Sequence, residues 1–314
     1  MKLIELMNSY IALKKSLGMK FKTERYLLLS FCDAMGDVDI SDISREKVLT
    51  FFKDSGPSKY WYRRYYALNV FYRFAIGRGH VKTSPLPSFV PRRIDTFVPY
   101  IYTIDELKTL ISRTHDVCSG RNCIVDAACL RLLILLLWGT GLRLSEALNL
   151  KVADVDVSSD LITVNETKFF KSRLVPIDPK LSALISQHIS NRQAALYADS
   201  TAVFLSRRGN SLTADLVESY FRKLCTSAGI VSNEGDSKRQ PRLHDLRHTF
   251  AVSRIVSWYR SGENVQRLLP HLSTYLGHTH LSHTQRYLRV TTEVLRLACN
   301  LFEQYAMEVD DAKH

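Results

Sequence analysis

The chain has 314 residues, of which 46% are hydrophobic and 24% are charged, a balance typical of a globular protein rather than of a disordered one. Its length predicts two domains. Its formal net charge of +12 and its pI of about 9.4 favour a polyanionic partner, nucleic acid before a membrane surface. No secretion signal is apparent and the longest apolar run is too short for a membrane span, so we expect a cytoplasmic protein with no membrane partner.

The six cysteines are scattered and show no paired C-x-x-C spacing, which predicts free thiols in a reducing compartment. Cys118 and Cys123, with His115 nearby, resemble half of a metal site. Their spacing is poor and no second half is apparent, so free thiols are favoured. We therefore expect neither a metal ion nor any other cofactor.

The first 80 residues predict a helical domain. Apolar residues recur at helical spacing, and the predicted helices are residues 3–17, 24–35, a third after Ser44, and 58–74. The fourth helix interleaves aromatic residues with arginines. It is either a DNA-facing helix whose arginines contact phosphates, or a core helix whose arginines reach out to solvent. The basic character of the chain favours DNA, without indicating which residues face it.

Residues 81–102 change character, because three prolines interrupt any helix and Arg92 and Arg93 add charge. This stretch predicts a linker between domains. Thr103 and Glu106 then form the T-x-x-E pattern of a capping box, which predicts a helix through about Thr114.

The remainder of the chain predicts helices around a small β-sheet. The predicted helices are residues 122–138, one from Arg143, 178–192, 213–227 and a tail helix 293–307; the predicted strands are 161–165, 173–177 and a short one at 202–206. The first two strands form a hairpin with residues 166–172 at its tip. The fold class is thus mainly α with a small β-sheet (α+β).

Three short motifs carry residues suited to phosphate chemistry. They read T-G-L-R-L-S-E at residues 140–146, H-D-L-R at 244–247, and L-G-H at 276–278 followed by T-Q-R-Y at 284–287. A His and an Arg three apart share one face of a helix. An arginine offers two parallel hydrogen bonds to a phosphate and keeps its charge. Two arginines, two histidines and a tyrosine are what an enzyme needs to hold a phosphodiester and attack it with a phenol.

These motifs in this order resemble the tyrosine recombinase (phage integrase) family, strongly over about residues 100–300 and weakly over residues 1–80. The resemblance implies a helical core-binding domain (1–80), a linker (81–102), a catalytic domain (103–290), and a C-terminal helix and tail (291–314). The two domains would form a C-shaped clamp around double-stranded DNA. The tail helix would pack either onto a neighbouring protomer or onto its own domain.

The implied activity is site-specific DNA recombination, as in integration, excision or transposition. Four protomers would assemble on two paired DNA sites and exchange strands through a Holliday junction. Accessory proteins that bend DNA or set directionality are further expected partners. A type IB topoisomerase-like enzyme and a DNA-binding regulator with an inactive site are the alternatives, and an apparently complete set of catalytic residues argues against the second.

The resemblance also implies residue roles. Arg143 and Arg247 would hold the phosphate, while His244 and His278 would donate a hydrogen bond or move a proton. Tyr287 would be the nucleophile that forms a 3′-phosphotyrosine, so rejoining would need neither ATP nor metal. The nearest competing tyrosines and the histidines left as background are Tyr275, Tyr305, His248, His271, His280 and His283.

The general acid is expected on the β-hairpin. The family pattern resembles G-K-G-N-K-x-R-x-V-P, and alignment on R-L-V-P at residues 173–176 gives Lys168 that role. Two phenylalanines replace the small turn residues here, so Lys171 remains an alternative. Glu146 and Asp245 are expected to orient the arginines and the histidine.

Overall fold

The computed structural model describes residues 1–53, 58–90, 98–120, 123–165, 172–194, 201–230, 241–289 and 296. The chain divides into two compact units, the first comprising Met1–Thr96 and the second beginning at Phe97. No helix in the described part of the chain is both long and apolar enough to span a lipid bilayer.

The first unit is a helical bundle. Its helices are α1 (Leu3–Ser16), α2 (Lys22–Met35), α3 (Arg45–Lys53) and α4 (Lys59–Gly77). All four predicted helices are present, with ends shifted by a few residues. Their apolar faces enclose a core that is rich in aromatic rings, among which Phe31, Phe71 and Tyr72 are fully buried.

Helix α4 packs as a core helix whose exposed arginines reach solvent, and whether it faces DNA stays a prediction. It begins where the Ser58 side chain accepts a hydrogen bond from the Trp61 amide, an N-cap that satisfies a free backbone donor. Most of its rings, such as Trp61 and Tyr65, pack into the core, whereas Arg63 and Arg73 are exposed. The aromatic residues therefore build the bundle, and Arg63 and Arg73 lie on its surface.

The first core extends beyond residue 80. Leu86 is buried in it, and the Tyr65 hydroxyl donates a hydrogen bond to the Pro87 carbonyl over 3.1 Å. The start of the segment expected to be a linker is thus packed against the helical bundle.

The second unit contains nine α-helices and three strands within the described residues. The helices are α5 (Ile104–Ser112), α6 (Thr114–Cys118), α7 (Ala127–Thr140), α8 (Leu144–Leu148), α9 (Pro179–Ala194), α10 (Ala214–Ser227), α11 (His244–Arg260), α12 (Val265–Leu276) and α13 (Ser282–Gln285); the strands are β1 (Val155–Asp156), β2 (Leu161–Val164) and β3 (Arg173–Pro176). The three strands form an antiparallel sheet in the order β1-β2-β3. The hairpin of β2 and β3 confirms the prediction, whereas β1 was not expected.

Local signals explain the helix ends. Thr103 and Glu106 form the expected capping box, but the helix ends at Ser112 and the separate α6 follows. The prediction that the long apolar helix begins at residue 122 is wrong, because Asp126 caps α7 by accepting from two backbone amides. This helix runs to Thr140 and ends at Gly141, which adopts a left-handed conformation with φ +63°.

Residues 202–206 do not form the predicted strand. They make isolated bridges, Ala202 with Lys151 and Leu205 with Ser211, because no extended neighbouring strand is present to continue the pairing. The hairpin tip and the predicted tail helix 293–307, apart from Arg296, lie outside the described residues.

Two hydrophobic cores organise the second unit. Helix α7 is almost wholly apolar and lies in the centre of the larger core, with Leu133, Ile134 and Leu136 fully buried. The smaller core joins α11, α12 and the 3-10 turn Arg286–Arg289. This second core fixes the relative positions of the helices that carry the candidate site.

Candidate active site

The C-terminal end of α12 collects three arginine side chains from separate parts of the second unit. The hydrogen bonds are Arg173 Nε to the Tyr275 carbonyl (2.8 Å), Arg247 Nη2 to the Leu276 carbonyl (2.6 Å) and Arg143 Nη2 to the Gly277 carbonyl (2.8 Å). The last carbonyls of a helix lack intrahelical partners and carry partial negative charge, so they attract cations. The fold thereby brings Arg143 and Arg247, distant in sequence, to adjacent peptide groups.

Two glycines allow close packing at the site. Gly277 ends α12 with φ +66°, and a Cβ atom there would lie 2.9 Å from Arg173 Nη1. The Gly141 carbonyl accepts a 2.7 Å hydrogen bond from Arg247 Nη1, and a Cβ atom at Gly141 would lie 2.6 Å from Phe250 Cδ1. Any other residue at either position would strain the backbone and displace a neighbouring side chain.

Glu146 joins two of the arginines. Its Oε1 atom accepts a hydrogen bond from Arg143 Nη1 at 2.6 Å, and its Oε2 atom accepts one from Arg173 Nη2 at 2.8 Å. Although burial raises the pKa of this carboxyl group, the hydrogen bonds and charges of Arg173 and Arg143 outweigh burial and lower it to about 2. Glu146 is therefore ionised at neutral pH and fixes both guanidinium groups.

Arg247 lies on the buried face of α11, with 2% of its surface exposed. Burial, together with repulsion from Arg143, lowers its pKa to about 10. It remains protonated at neutral pH, so the site contains a buried positive charge. A desolvated cation of this kind interacts with an anion more strongly than a cation in water does.

Tyr287 lies in the 3-10 turn Arg286–Arg289 and is 4% exposed. Its hydroxyl oxygen is 3.3 Å from Nδ1 of His248, and the Arg247 guanidinium group lies near enough to act on it electrostatically. Burial raises the pKa of the phenol, and the positive charge of Arg247 opposes that effect. The tyrosine is thus directed towards the same guanidinium group that meets the end of α12.

Two histidines lie beside this phenol, and a third packs against one of them. The His278 ring lies with its centroid 6.2 Å from that of Tyr287, and its Nδ1 atom is 2.8 Å from Thr284 Oγ1. The His244 ring packs edge-on against His248 at 4.9 Å. Burial and neighbouring arginines lower the pKa of His244 to about 4 and that of His278 to about 3, so both rings are neutral at pH 7.

Comparison with known proteins identifies the family. Residues 103–293 match the Phage integrase family. A putative integrase/recombinase of Sinorhizobium fredii, y4rB, is 33% identical over 303 residues, which cover 94% of this chain and 95% of that protein. The chain belongs to the phage integrase family. The tyrosine recombinase XerA of Thermococcus kodakarensis is 31% identical over 241 residues, covering 74% of this chain and 71% of the relative.

Solved structures confirm the fold of this integrase family member. The Tn1549 transposon integrase in complex with transposon right end DNA has a TM-score of 0.68 at 20% identity, covering 98% of this chain and all of that one. The lambda integrase tetramer bound to a Holliday junction has a TM-score of 0.62 at 16% identity, covering 91% and 77% of the two chains. The mainly helical fold class with a small sheet is thus confirmed.

The site of this integrase family chain contains two residues that the sequence analysis did not select. Arg173 shares Glu146 with Arg143, and its position in the R-L-V-P motif could have drawn attention to it. His248 was left as background, yet it contacts the Tyr287 hydroxyl. It follows His244 by four residues, so helical periodicity places it on the same face one turn further on.

Three other residues were predicted to belong to the site: Asp245, Lys168 and Lys171. Asp245 is buried, but its ion pair is with Arg242, at 3.1 Å, and not with a histidine of the site. Its expected role in orienting the catalytic groups is therefore limited to the start of α11. Lys168 and the alternative Lys171 lie outside the described residues.

The cysteine pair near α6 is poorly suited to metal binding. Cys118 is buried, and burial together with Cys123 raises the pKa of its thiol to about 12. Since the thiolate is the form that binds metal, this thiol is a weak ligand at neutral pH. Over the part of the chain that the structure describes, no group of three or more His, Cys, Asp or Glu side chains could hold a metal ion.

Proposed function

We propose that this integrase family chain cuts and rejoins double-stranded DNA at specific sites through a 3′-phosphotyrosine intermediate. One observation carries the proposal. Arg143 and Arg247 meet at adjacent carbonyls at the end of α12, and the positive charge of Arg247 acts on the nearby Tyr287 hydroxyl. Two fixed cations beside a phenol are suited to hold a phosphodiester and attack it.

The arginines serve the pentacoordinate transition state, in which negative charge grows on the non-bridging phosphate oxygens. A guanidinium group has five N–H donors, so one arginine can bond a peptide carbonyl and a phosphate oxygen together. Because the carbonyls and Glu146 fix Arg143 and Arg247 before DNA arrives, little reorganisation is needed when charge develops.

The reaction is a reversible transesterification. The Tyr287 oxygen attacks the phosphorus, the bond to the deoxyribose 5′ oxygen breaks, and a 3′-phosphotyrosine forms. His244 and His278 donate hydrogen bonds to the phosphoryl oxygens, and Lys168 protonates the leaving 5′ oxygen. Attack by a 5′ hydroxyl reverses each step, so the energy of the phosphodiester bond is conserved without ATP.

The two units divide the labour of DNA binding and catalysis. In this proposal residues 1–80 form the core-binding domain, 81–102 the linker, 103–290 the catalytic domain and 291–314 the C-terminal segment. Protomers assemble on two DNA sites and exchange strands as a tetramer. The Holliday junction complex of the lambda integrase, which shares the fold, supports this assembly.

The exposed stripe of α4 is the part of the first unit that we assign to DNA. Arg63, Tyr66 and Arg73 follow one another at intervals of three and seven residues, so they lie along one face of the helix, and all three are exposed. Arg64, in contrast, stacks over the rings of Phe51 and Tyr60 within the unit. The stripe can therefore bind phosphates without disturbing the aromatic core.

Covalent capture tests the proposed function. A nicked suicide duplex carrying the inverted repeats that flank the gene should become attached to the wild-type protein. Tyr287→Phe should bind the same DNA and give no adduct, whereas Tyr275→Phe, its matched control, should still give one. An adduct with Tyr287→Phe would refute the nucleophile assignment.

The type IB topoisomerase alternative predicts a different result. Such an enzyme relaxes supercoiled plasmid that lacks a dedicated site, whereas a site-specific recombinase requires its site. The named recombinase relatives favour the recombinase. Efficient relaxation of a plasmid without the repeats would reverse that preference.

A further inference from the structure

A phenol that attacks phosphorus must lose its proton during the attack. Tyr287 is buried, and burial raises its pKa, so the neutral phenol is the resting form at pH 7. The proton therefore needs an acceptor inside the pocket, within hydrogen-bonding distance of the hydroxyl oxygen.

The contacts of Tyr287 point to one base. Arg247 is a donor and cannot accept a proton, because a guanidinium group offers only N–H groups. His278 approaches Tyr287 ring to ring, with centroids 6.2 Å apart, and its Nδ1 atom pairs with Thr284 Oγ1 at 2.8 Å. His248 Nδ1, in contrast, lies 3.3 Å from the Tyr287 oxygen.

We infer that His248 accepts the proton of the Tyr287 hydroxyl as that oxygen attacks the phosphorus. This inference rests on the proposed function. As the new O–P bond forms, the phenol proton passes to His248 Nδ1; as the P–O5′ bond breaks, Lys168 protonates the leaving oxygen. On rejoining, His248 returns its proton to the phenol and the 5′ hydroxyl gives one back to Lys168, so no net proton is gained or lost.

The charges around His248 keep its ring unprotonated before DNA binds. Its neighbours are His244 and Arg247 on α11, Arg242 before that helix and Arg286 beside Tyr287; burial, together with these groups, lowers its pKa to about 3. The ring is thus unprotonated at neutral pH and available to accept. A phosphodiester bound to the arginines supplies negative charge that offsets them, which makes the imidazole more basic when DNA is present.

The test measures single-turnover adduct formation on the nicked suicide duplex over a range of pH. Asparagine at position 248 retains an acceptor oxygen near the place of Nδ1 but cannot carry a proton, so His248→Asn separates proton transfer from simple positioning. We expect it to be ~100-fold slower near neutral pH, the lower end of what general base catalysis contributes. The deficit should shrink at higher pH, because hydroxide then replaces the missing base.

Control measurements distinguish a failure of this inference from a failure of the proposed function. His271→Ala removes an exposed histidine of α12 and should cleave at the wild-type rate, and DNA binding by His248→Asn should also be unchanged. A wild-type rate for His248→Asn, or a deficit equal at every pH, would overturn the inference while leaving the recombinase intact. Wild-type protein that forms no adduct would overturn the proposed function, and the inference with it.

Discussion

Replacing Glu146 by glutamine removes one negative charge and leaves the shape of the side chain almost unchanged. In the wild-type protein this carboxylate accepts hydrogen bonds from both Arg143 and Arg173, and only 9% of its side chain is exposed. The substitution leaves two guanidinium groups close together without their shared counter-charge. Breaking a buried pair in this way is usually more costly than removing both partners.

The size of the effect follows from the pKa of Glu146. Its lowering from 4.5 to about 2 corresponds to about 3 kcal/mol of stability for the ionised form, at about 1.4 kcal/mol per pH unit. Because the pKa is lower in the folded state, this stability is complete above 4.5 and is lost as the pH falls from 4.5 towards 2. We therefore expect Glu146→Gln to lower the free energy of unfolding by about 3 kcal/mol at pH 7.

Urea unfolding of the second unit at several pH values measures this difference. The difference in free energy of unfolding between wild type and Glu146→Gln should stay constant above about pH 5 and become smaller in more acidic solution. Glu218→Gln, an exposed change of the same chemistry on α10, should leave the free energy of unfolding unchanged. A difference in free energy of unfolding near zero at pH 7, or one that grows in acid, would show that the carboxylate does not stabilise the arginines in this way.

Three further predictions concern Gly141, the two lysines of the hairpin tip and the exposed arginines of α4. Gly141→Ala should lower the free energy of unfolding in urea by about 2 kcal/mol, because the new Cβ atom meets a buried ring at 2.6 Å and the residue has a positive φ; a stability equal to wild type would contradict this. Lys168→Ala should slow adduct formation strongly on ordinary DNA, and it should regain speed on DNA with a 5′-bridging sulfur, because that leaving group needs no proton. Lys171→Ala should cleave ordinary DNA normally. The reverse pattern would make Lys171 the general acid. Arg63→Ala and Arg73→Ala should each reduce the salt dependence of DNA binding by about one unit of the log–log slope, measured by fluorescence anisotropy, and unchanged slopes would place the DNA elsewhere.

Local sequence signals predicted much of the fold because they act over a few residues. The capping box at Thr103 and Glu106 and the period of apolar residues in the first unit each specify a helix without help from distant parts of the chain. The start of α7 was misplaced because the cap is Asp126, inside the stretch that seemed helical. Residues 202–206 have the composition of a strand, but strand formation requires a partner, which local sequence does not specify.

Local sequence likewise predicted some residues of the candidate site and missed others. Arg143, Arg247 and Tyr287 were selected by the residues that flank them, and the structure places them near one another at the end of α12. Arg173 was not selected, because its importance arises from a carboxylate on a distant helix and a carbonyl on another. His248 was within reach of helical periodicity, but only the tertiary fold shows that its ring meets a phenol thirty-nine residues further along the chain.

The convergence of three guanidinium groups on the last carbonyls of α12 restricts how this protein can change during evolution. Successive peptide groups of an α-helix are rotated by about 100° around its axis, so inserting or deleting a single residue in α12 would turn all three acceptors away together. Point substitutions on the outer face of α12 remain permissible, whereas changes in its length do not. Among homologues we therefore expect gaps in the surrounding loops and an invariant count of residues from Val265 to Gly277.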